Sequence, residues 1–150
     1  MTLRELRQKI QYTVRRAVGA DAARQALCRL LQADIPHYTG VYIYLLEADG
    51  QTLALMNFEG RPTEHTRIPI DRGVCGAAVR EAATVVVPDV AADVRYLACS
   101  LATKSEIVVP IFREGKVVGE IDIDSDALDP FTPADPELLE FAAQVIATRL

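Results

Sequence analysis

Gly73-Val74-Cys75-Gly76, Tyr96-Leu97-Ala98-Cys99-Ser100, Ser105-Glu106-Ile107-Val108-Val109-Pro110 and Asp122-Ile123-Asp124-Ser125 follow one another within a single stretch of the chain. Two thiols and three carboxylates stand there among apolar residues, at strand-like or strand-edge positions. Burying a charge is costly unless something pairs with it. The stretch therefore predicts a small polar pocket built into a sheet.

The flanking sequence supplies the rest of the fold. Leu3, Leu6, Ile10, Val14 and Val18 recur at helical spacing, which predicts a helix over 3–18. A second helix, rich in Ala, Leu, Gln and Arg, runs over 20–33 and holds Cys28 as a small buried hydrophobe. Gly40 to Leu46 and Thr52 to Phe58 read as the strands of a hairpin turned at Asp49-Gly50. Thr66 to Ile70 reads as a short strand, and Pro69 makes it an edge or terminal one. A short helix over 74–83 and a brief strand over 84–87 come next. A loop-rich stretch over 89–104 carries Cys99. Ile107 to Phe112 and Lys116 to Ile123 form a second hairpin through Arg113-Glu114-Gly115. Asp135, as N-cap, and Pro136 open a last helix.

Hairpin connections predict an antiparallel sheet. Helices at the two ends of the sequence cover one face, and the middle helix and loop cover a pocket on the other. The expected class is an α+β sandwich in a single domain, 1–150: N-terminal helices over 1–35, sheet and pocket over 40–125, and a C-terminal helix over 133–150.

Composition narrows the function. The chain has 150 residues, half of them hydrophobic, and a net charge of -5. That suits one core-bearing domain and gives no basic face for nucleic acid. Arg4, Arg7, Lys9, Arg15 and Arg16 fall around the first helix and read as its solvated side. No apolar run is long enough for a membrane span, and no signal-peptide pattern opens the chain, so the expected location is the cytoplasm. Three cysteines suit no disulfide framework, and no CxxC or histidine spacing suits structural zinc. The apolar stripes of the terminal helices suit a homodimer.

Cys75 stands near the start of a helix, where backbone N–H groups and the dipole lower a thiol pKa. Cys99 sits in a loop with Arg95 and Tyr96 before it and Lys104 after it. Asp122 and Asp124 are two apart in a strand and share a face. Periodicity alone turns that face to water, because Ile121 and Ile123 take the other. Glu106 argues for the opposite, since the hairpin brings it to the same end. Clustered carboxylates raise one another's pKa, and one then stays protonated. A thiolate, a neighbouring acid and a second thiol together suit redox chemistry at sulfur.

The set of motifs, with Arg67-Ile68-Pro69, resembles the GAF domain. It is similar in particular to the GAF proteins that reduce free methionine-R-sulfoxide. The resemblance implies a nucleophile at Cys99 that attacks the sulfoxide sulfur and is left as a sulfenic acid. It implies that Glu106, Asp122 and Asp124 bind the substrate and supply protons. It also implies recycling by a disulfide and by thioredoxin or another dithiol, with no metal or organic cofactor. Two positions depart from the pattern. His65 stands where that family usually has a resolving cysteine. Gly40 stands where it has an aromatic, with Tyr38 or Tyr42 as substitutes, while Tyr44 keeps the later aromatic. The missing resolver leaves Cys75, or an external thiol, to close the cycle, and His65 to favour a thiolate at Cys99. A non-catalytic GAF module, holding a small ligand or sensing redox state, remains the alternative reading.

Overall fold

The computed structural model describes residues 1–96 and 102–150. Helices α1 (Leu3–Arg16) and α2 (Ala20–Asp34) lead into strands β1 (Gly40–Leu46), β2 (Thr52–Gly60) and β3 (Arg67–Pro69). Helix α3 (Gly73–Glu81) and strand β4 (Val85–Val87) follow, then β5 (Ser105–Arg113), β6 (Lys116–Ser125) and helix α4 (Ala134–Ala147). The six strands form one sheet in the order β3-β2-β1-β6-β5-β4, and every neighbouring pair is antiparallel. Pro69 lies on edge strand β3, where its missing N–H breaks no ladder.

Two apolar clusters lie on opposite faces of this sheet. On one face Val41, Ile43, Ile107, Val109, Ile121 and Ile123 pack against α1, α2 and α4, with Cys28 fully buried among them. Burial pushes the Cys28 thiol up to about 12, as expected of a packing residue. On the other face Tyr42, Tyr44, Leu53, Ile68 and Val108 meet Val74, Cys75 and Ala78 of α3. The central strands are thus covered on both sides.

The hairpin turn at Glu114-Gly115 has positive φ at both residues, 52° and 77°, which matches the right-handed twist of the flanking strands. Gly73 opens α3 with φ 71°, a conformation other residues adopt at a cost. Helix α1 begins with a capping box between Thr2 and Glu5. It ends at Arg16, two residues before the expected Val18, which is exposed beyond the helix. The basic residues of α1 do more than face solvent: Arg7 pairs with Glu137 of α4 and Lys9 with Asp34 of α2.

Asp135 is not the N-cap of α4. It lies inside the first turn, buried, and its carboxylate accepts hydrogen bonds from the Tyr38 hydroxyl (2.7 Å) and the Thr132 backbone N–H (2.9 Å). His37 Nε2 lies 3.0 Å from the same carboxylate. Tyr38 is therefore spent on joining the β1 entrance to α4 and packs in the helix-side cluster, which removes it as a substitute aromatic for the pocket.

Asp135→Ala leaves the Tyr38 hydroxyl buried without its acceptor. It should cost about 2–3 kcal/mol of stability in urea unfolding, while Tyr38→Phe, which removes the stranded hydroxyl instead, should cost about 1 kcal/mol.

Candidate active site

The pocket face of the sheet is set by register. Tyr42 pairs with Asp122 and Tyr44 with Glu120 across β1 and β6, and Glu106 pairs with Asp124 across β5 and β6. Alternation puts Glu120, Asp122 and Asp124 on one side of β6 and Ile121 and Ile123 on the other. Helix α3 crosses over that side and lowers Cys75 onto it.

The result is a cavity of about 340 Å³, open mouth included, lined by Tyr42, Tyr44, His65, Cys75, Glu106, Asp122 and Asp124 together with Thr63, Ile68, Gly73 and Val74. Each of these predicted site residues therefore faces one space. Cys99 lies outside the described residues. The aspartates do not face solvent, as strand periodicity alone would have it. Glu106, Asp122 and Asp124 are 6%, 5% and 2% exposed. Periodicity misleads here because α3 covers the second face of β6.

The Cys75 thiol donates to Asp122 Oδ2 at 3.4 Å. One polar atom from each of Cys75, Glu106 and Asp122 lies within 4.8 Å of the others. The three form a proton-sharing cluster. Burial raises the Asp122 carboxyl above its ordinary range, against hydrogen bonds from Glu106 and Cys75 and the field of His65, which lower it. The position of Cys75 at the start of α3 does not lower its pKa. Burial, and then the acids Asp122, Glu120 and Glu106, push the thiol well above its usual value. Local dipole reasoning fails because the third dimension brings the acids of β6 and β5 to the sulfur.

The two tyrosines are fixed by their hydroxyls. Tyr44 donates to the His65 carbonyl at 2.7 Å and Tyr42 to the Arg61 carbonyl at 2.5 Å. They tie the segment between β2 and β3, which carries His65, to the cavity floor. Arg61 also holds Asp126, just past β6, through two hydrogen bonds of 2.6 and 2.7 Å.

Glu120 is the residue that motif reading missed. It is fully buried beside Cys75 and Asp122, and burial drives its carboxyl well above the ordinary range. The same two-residue step that links Asp124 to Asp122 leads to it.

The model of the GAF domain matches residues 15–150. The chain belongs to the GAF family. It is 41% identical over 99 residues to GAF domain-containing protein A of Dictyostelium discoideum, covering 66% of this chain and 61% of that protein. It is 40% identical over 103 residues to the free methionine-R-sulfoxide reductase of Escherichia coli, covering 68% of this chain and 61% of that enzyme. The matches thus span about three fifths of those relatives' lengths. Among solved structures, the free methionine-R-sulfoxide reductase of Neisseria meningitidis in complex with its substrate superposes with a TM-score of 0.91. It shares 35% identity, with 98% of this chain and 87% of that chain covered. No helix of the described residues is long and apolar enough to cross a membrane.

The acids of this GAF pocket set the pH response of stability. A carboxyl whose folded pKa is raised holds its proton in the native state after the unfolded chain has lost it, so stability falls as pH rises. For Glu120 the fall starts near the ordinary glutamate pKa, about 4.3, and continues up to its raised folded value, with a slope approaching about 1.4 kcal/mol per pH unit. Urea unfolding across that window should show Glu120→Leu losing less stability with pH than the unaltered chain.

Proposed function

We propose that this GAF protein reduces free methionine-R-sulfoxide to methionine. The observation that carries the proposal is the buried cluster of Cys75, Glu106, Asp122 and Asp124 around one small cavity, on a chain similar over most of its length to a substrate-bound reductase of that name. The cavity is small and partly open, and its lining is acidic. It suits a small ligand that brings an ammonium group and an oxygen needing a proton.

In this proposal Cys99 is the nucleophile. Its sulfur attacks the sulfoxide sulfur, the oxygen passes to Cys99 as a hydroxyl, and methionine leaves. The cysteine is oxidised by two electrons to a sulfenic acid and the methionine sulfur is reduced by two. Glu106, Asp122 and Asp124 hold the ammonium and deliver protons to the oxygen, a role that the raised carboxyl of Asp122 suits. Tyr42 and Tyr44 wall the substrate's apolar part, and His65 lines the cavity beside them.

Cys75 takes the resolving role that His65 cannot fill. Its thiol sulfur attacks the Cys99 sulfenic sulfur, its proton passes through Asp122 to the departing hydroxyl, and that hydroxyl leaves as water. A dithiol of the thioredoxin type then reduces the Cys75–Cys99 disulfide to two thiols. The scheme needs no metal or organic cofactor and belongs in a reducing compartment, the cytoplasm. A homodimer through the terminal helices is compatible with it, and light scattering would read its mass.

Three substitutions test the scheme with free methionine-R-sulfoxide as substrate. Cys99→Ser should abolish methionine release. Cys75→Ser should still release about one methionine per chain but stop there when thioredoxin is the reductant. Asp122→Asn should lower the rate of methionine release by about 10²–10³. If the unaltered chain releases no methionine, the protein is a ligand-binding GAF module and the proposal fails.

A further inference from the structure

Cys75, Glu106 and Asp122 come from three separate elements, α3, β5 and β6, yet one ligand atom of each lies within 4.8 Å of the other two. All three residues are buried, and all three line the same cavity. The set is a thiol with two carboxyls, which differs from a patch of surface acids. Asp122 is only half committed. Its Oδ2 accepts from the Cys75 thiol at 3.4 Å, whereas its Oδ1 has no hydrogen-bond partner among the described residues. The residue is 5% exposed, so bulk water does not meet that demand. Among the described residues lining the cavity there is no lysine or arginine.

Buried acids without a basic side chain beside them are balanced by protons or by a cation brought from outside. The geometry suits a metal ion. In a tetrahedral zinc site a thiolate sulfur about 2.3 Å and a carboxylate oxygen about 2.0 Å from the ion stand about 3.5 Å from each other. The 3.4 Å between Cys75 Sγ and Asp122 Oδ2 matches one edge of such a site, and Glu106 offers a third corner. One thiolate and two carboxylates select an ion of borderline softness, zinc or cobalt, over magnesium and calcium, which take shells of oxygen. The cavity mouth gives the ion its way in. Cysteine and histidine spacing in the sequence carries no sign of this set, because its members meet only in the fold.

We propose that Cys75, Glu106 and Asp122 form a binding site for a divalent cation of the zinc class. The ion takes the Cys75 sulfur as thiolate and an oxygen from each carboxyl. The Cys75 S–H proton and the proton held between Glu106 and Asp122 pass to solvent, and nothing is oxidised or reduced. The consequence for turnover rests on the reading above in which Cys75 closes the disulfide. A sulfur held by the ion does not attack the Cys99 sulfenic acid, so the ion inhibits recycling.

The test is titration of the full-length reduced chain, stripped of metal by a chelator, with cobalt chloride and then zinc chloride, read by absorption. Cobalt bound to a thiolate gives a near-ultraviolet sulfur-to-metal band that oxygen ligands alone do not give. The unaltered chain should take up about one cobalt ion with that band, and an equimolar amount of zinc should bleach it. Cys75→Ser should remove the band, with Cys75→Ala in its place should the serine variant not fold. Glu106→Gln and Asp122→Asn should each weaken binding about 100-fold. Cys28→Ala, which alters the helix-side cluster, should keep the band, and excess magnesium chloride should leave it in place. No band, a band that survives loss of Cys75, an affinity unmoved by both carboxyl variants, or displacement by magnesium would overturn the proposal. The titration contains no methionine sulfoxide. A bound ion on a chain that releases no methionine therefore removes the reductase reading and leaves the site standing, whereas an active reductase without the band removes the site alone.

Discussion

Four carboxyls and a thiol share one buried face of the sheet, and the cost of charging groups taken out of water governs the site. Glu106, Glu120, Asp122 and Asp124 are all buried, and ionising every one of them in a low-dielectric interior is costly. The cluster lowers its energy by keeping protons. The raised carboxyls of Glu120 and Asp122 and the raised thiol of Cys75 are three expressions of that one constraint. A site loaded with protons can give them to an oxygen that must leave, and it draws in a cationic group. Chemistry and stability therefore pull in opposite directions here, since the raised carboxyls of Glu120 and Asp122 weaken the fold as pH rises through their folded pKa values.

The fold meets this cost on its other face. Ile43, Ile107, Ile121 and Ile123 alternate with the polar residues of the same central strands and pack beneath α1, α2 and α4. Strand β6 thus holds two cores apart, one apolar and well packed, one polar and reactive. Placing Ile121 and Ile123 on the helix side forces Glu120, Asp122 and Asp124 to the cavity side, and a one-residue slip would exchange them. Register is therefore overdetermined, and the positions of the acids are as firm as those of the isoleucines that flank them.

Much of this was legible in the sequence, for definite reasons. The hairpin turns at Asp49-Gly50 and Arg113-Glu114-Gly115 fixed which strands are neighbours, and the proline at position 69 placed its strand at an edge. The acids shared a face because they were two residues apart. What periodicity could not tell was that this face is covered, since a strand of alternating Ile and Asp reads the same whether its polar side meets water or a helix. Cys75 was misread in sign for the same reason. Its place in α3 is local, but the acids that raise its pKa come from β5 and β6, some 30 and 47 residues further along the chain. Glu120 carried no motif at all, and only its step of two from Asp122 marked it. Asp135 looked like a cap because Asp before Pro suits one, yet the pull of Tyr38 and Thr132 on its carboxylate drew it inside the helix.

His65 shows how a pocket can lose one group and keep its electrostatics. A thiol at that position would add another acid to the cluster, whereas an imidazole beside Asp122 offsets it. Among the described residues, the sulfur within reach of the acids is Cys75, held by α3 and hydrogen-bonded to Asp122. In the proposed scheme the resolver starts from a helix and not from the segment between β2 and β3. On that proposal its reactivity is set by the proton state of its neighbours, and the same buried carboxyls proposed to serve the substrate would also control recycling.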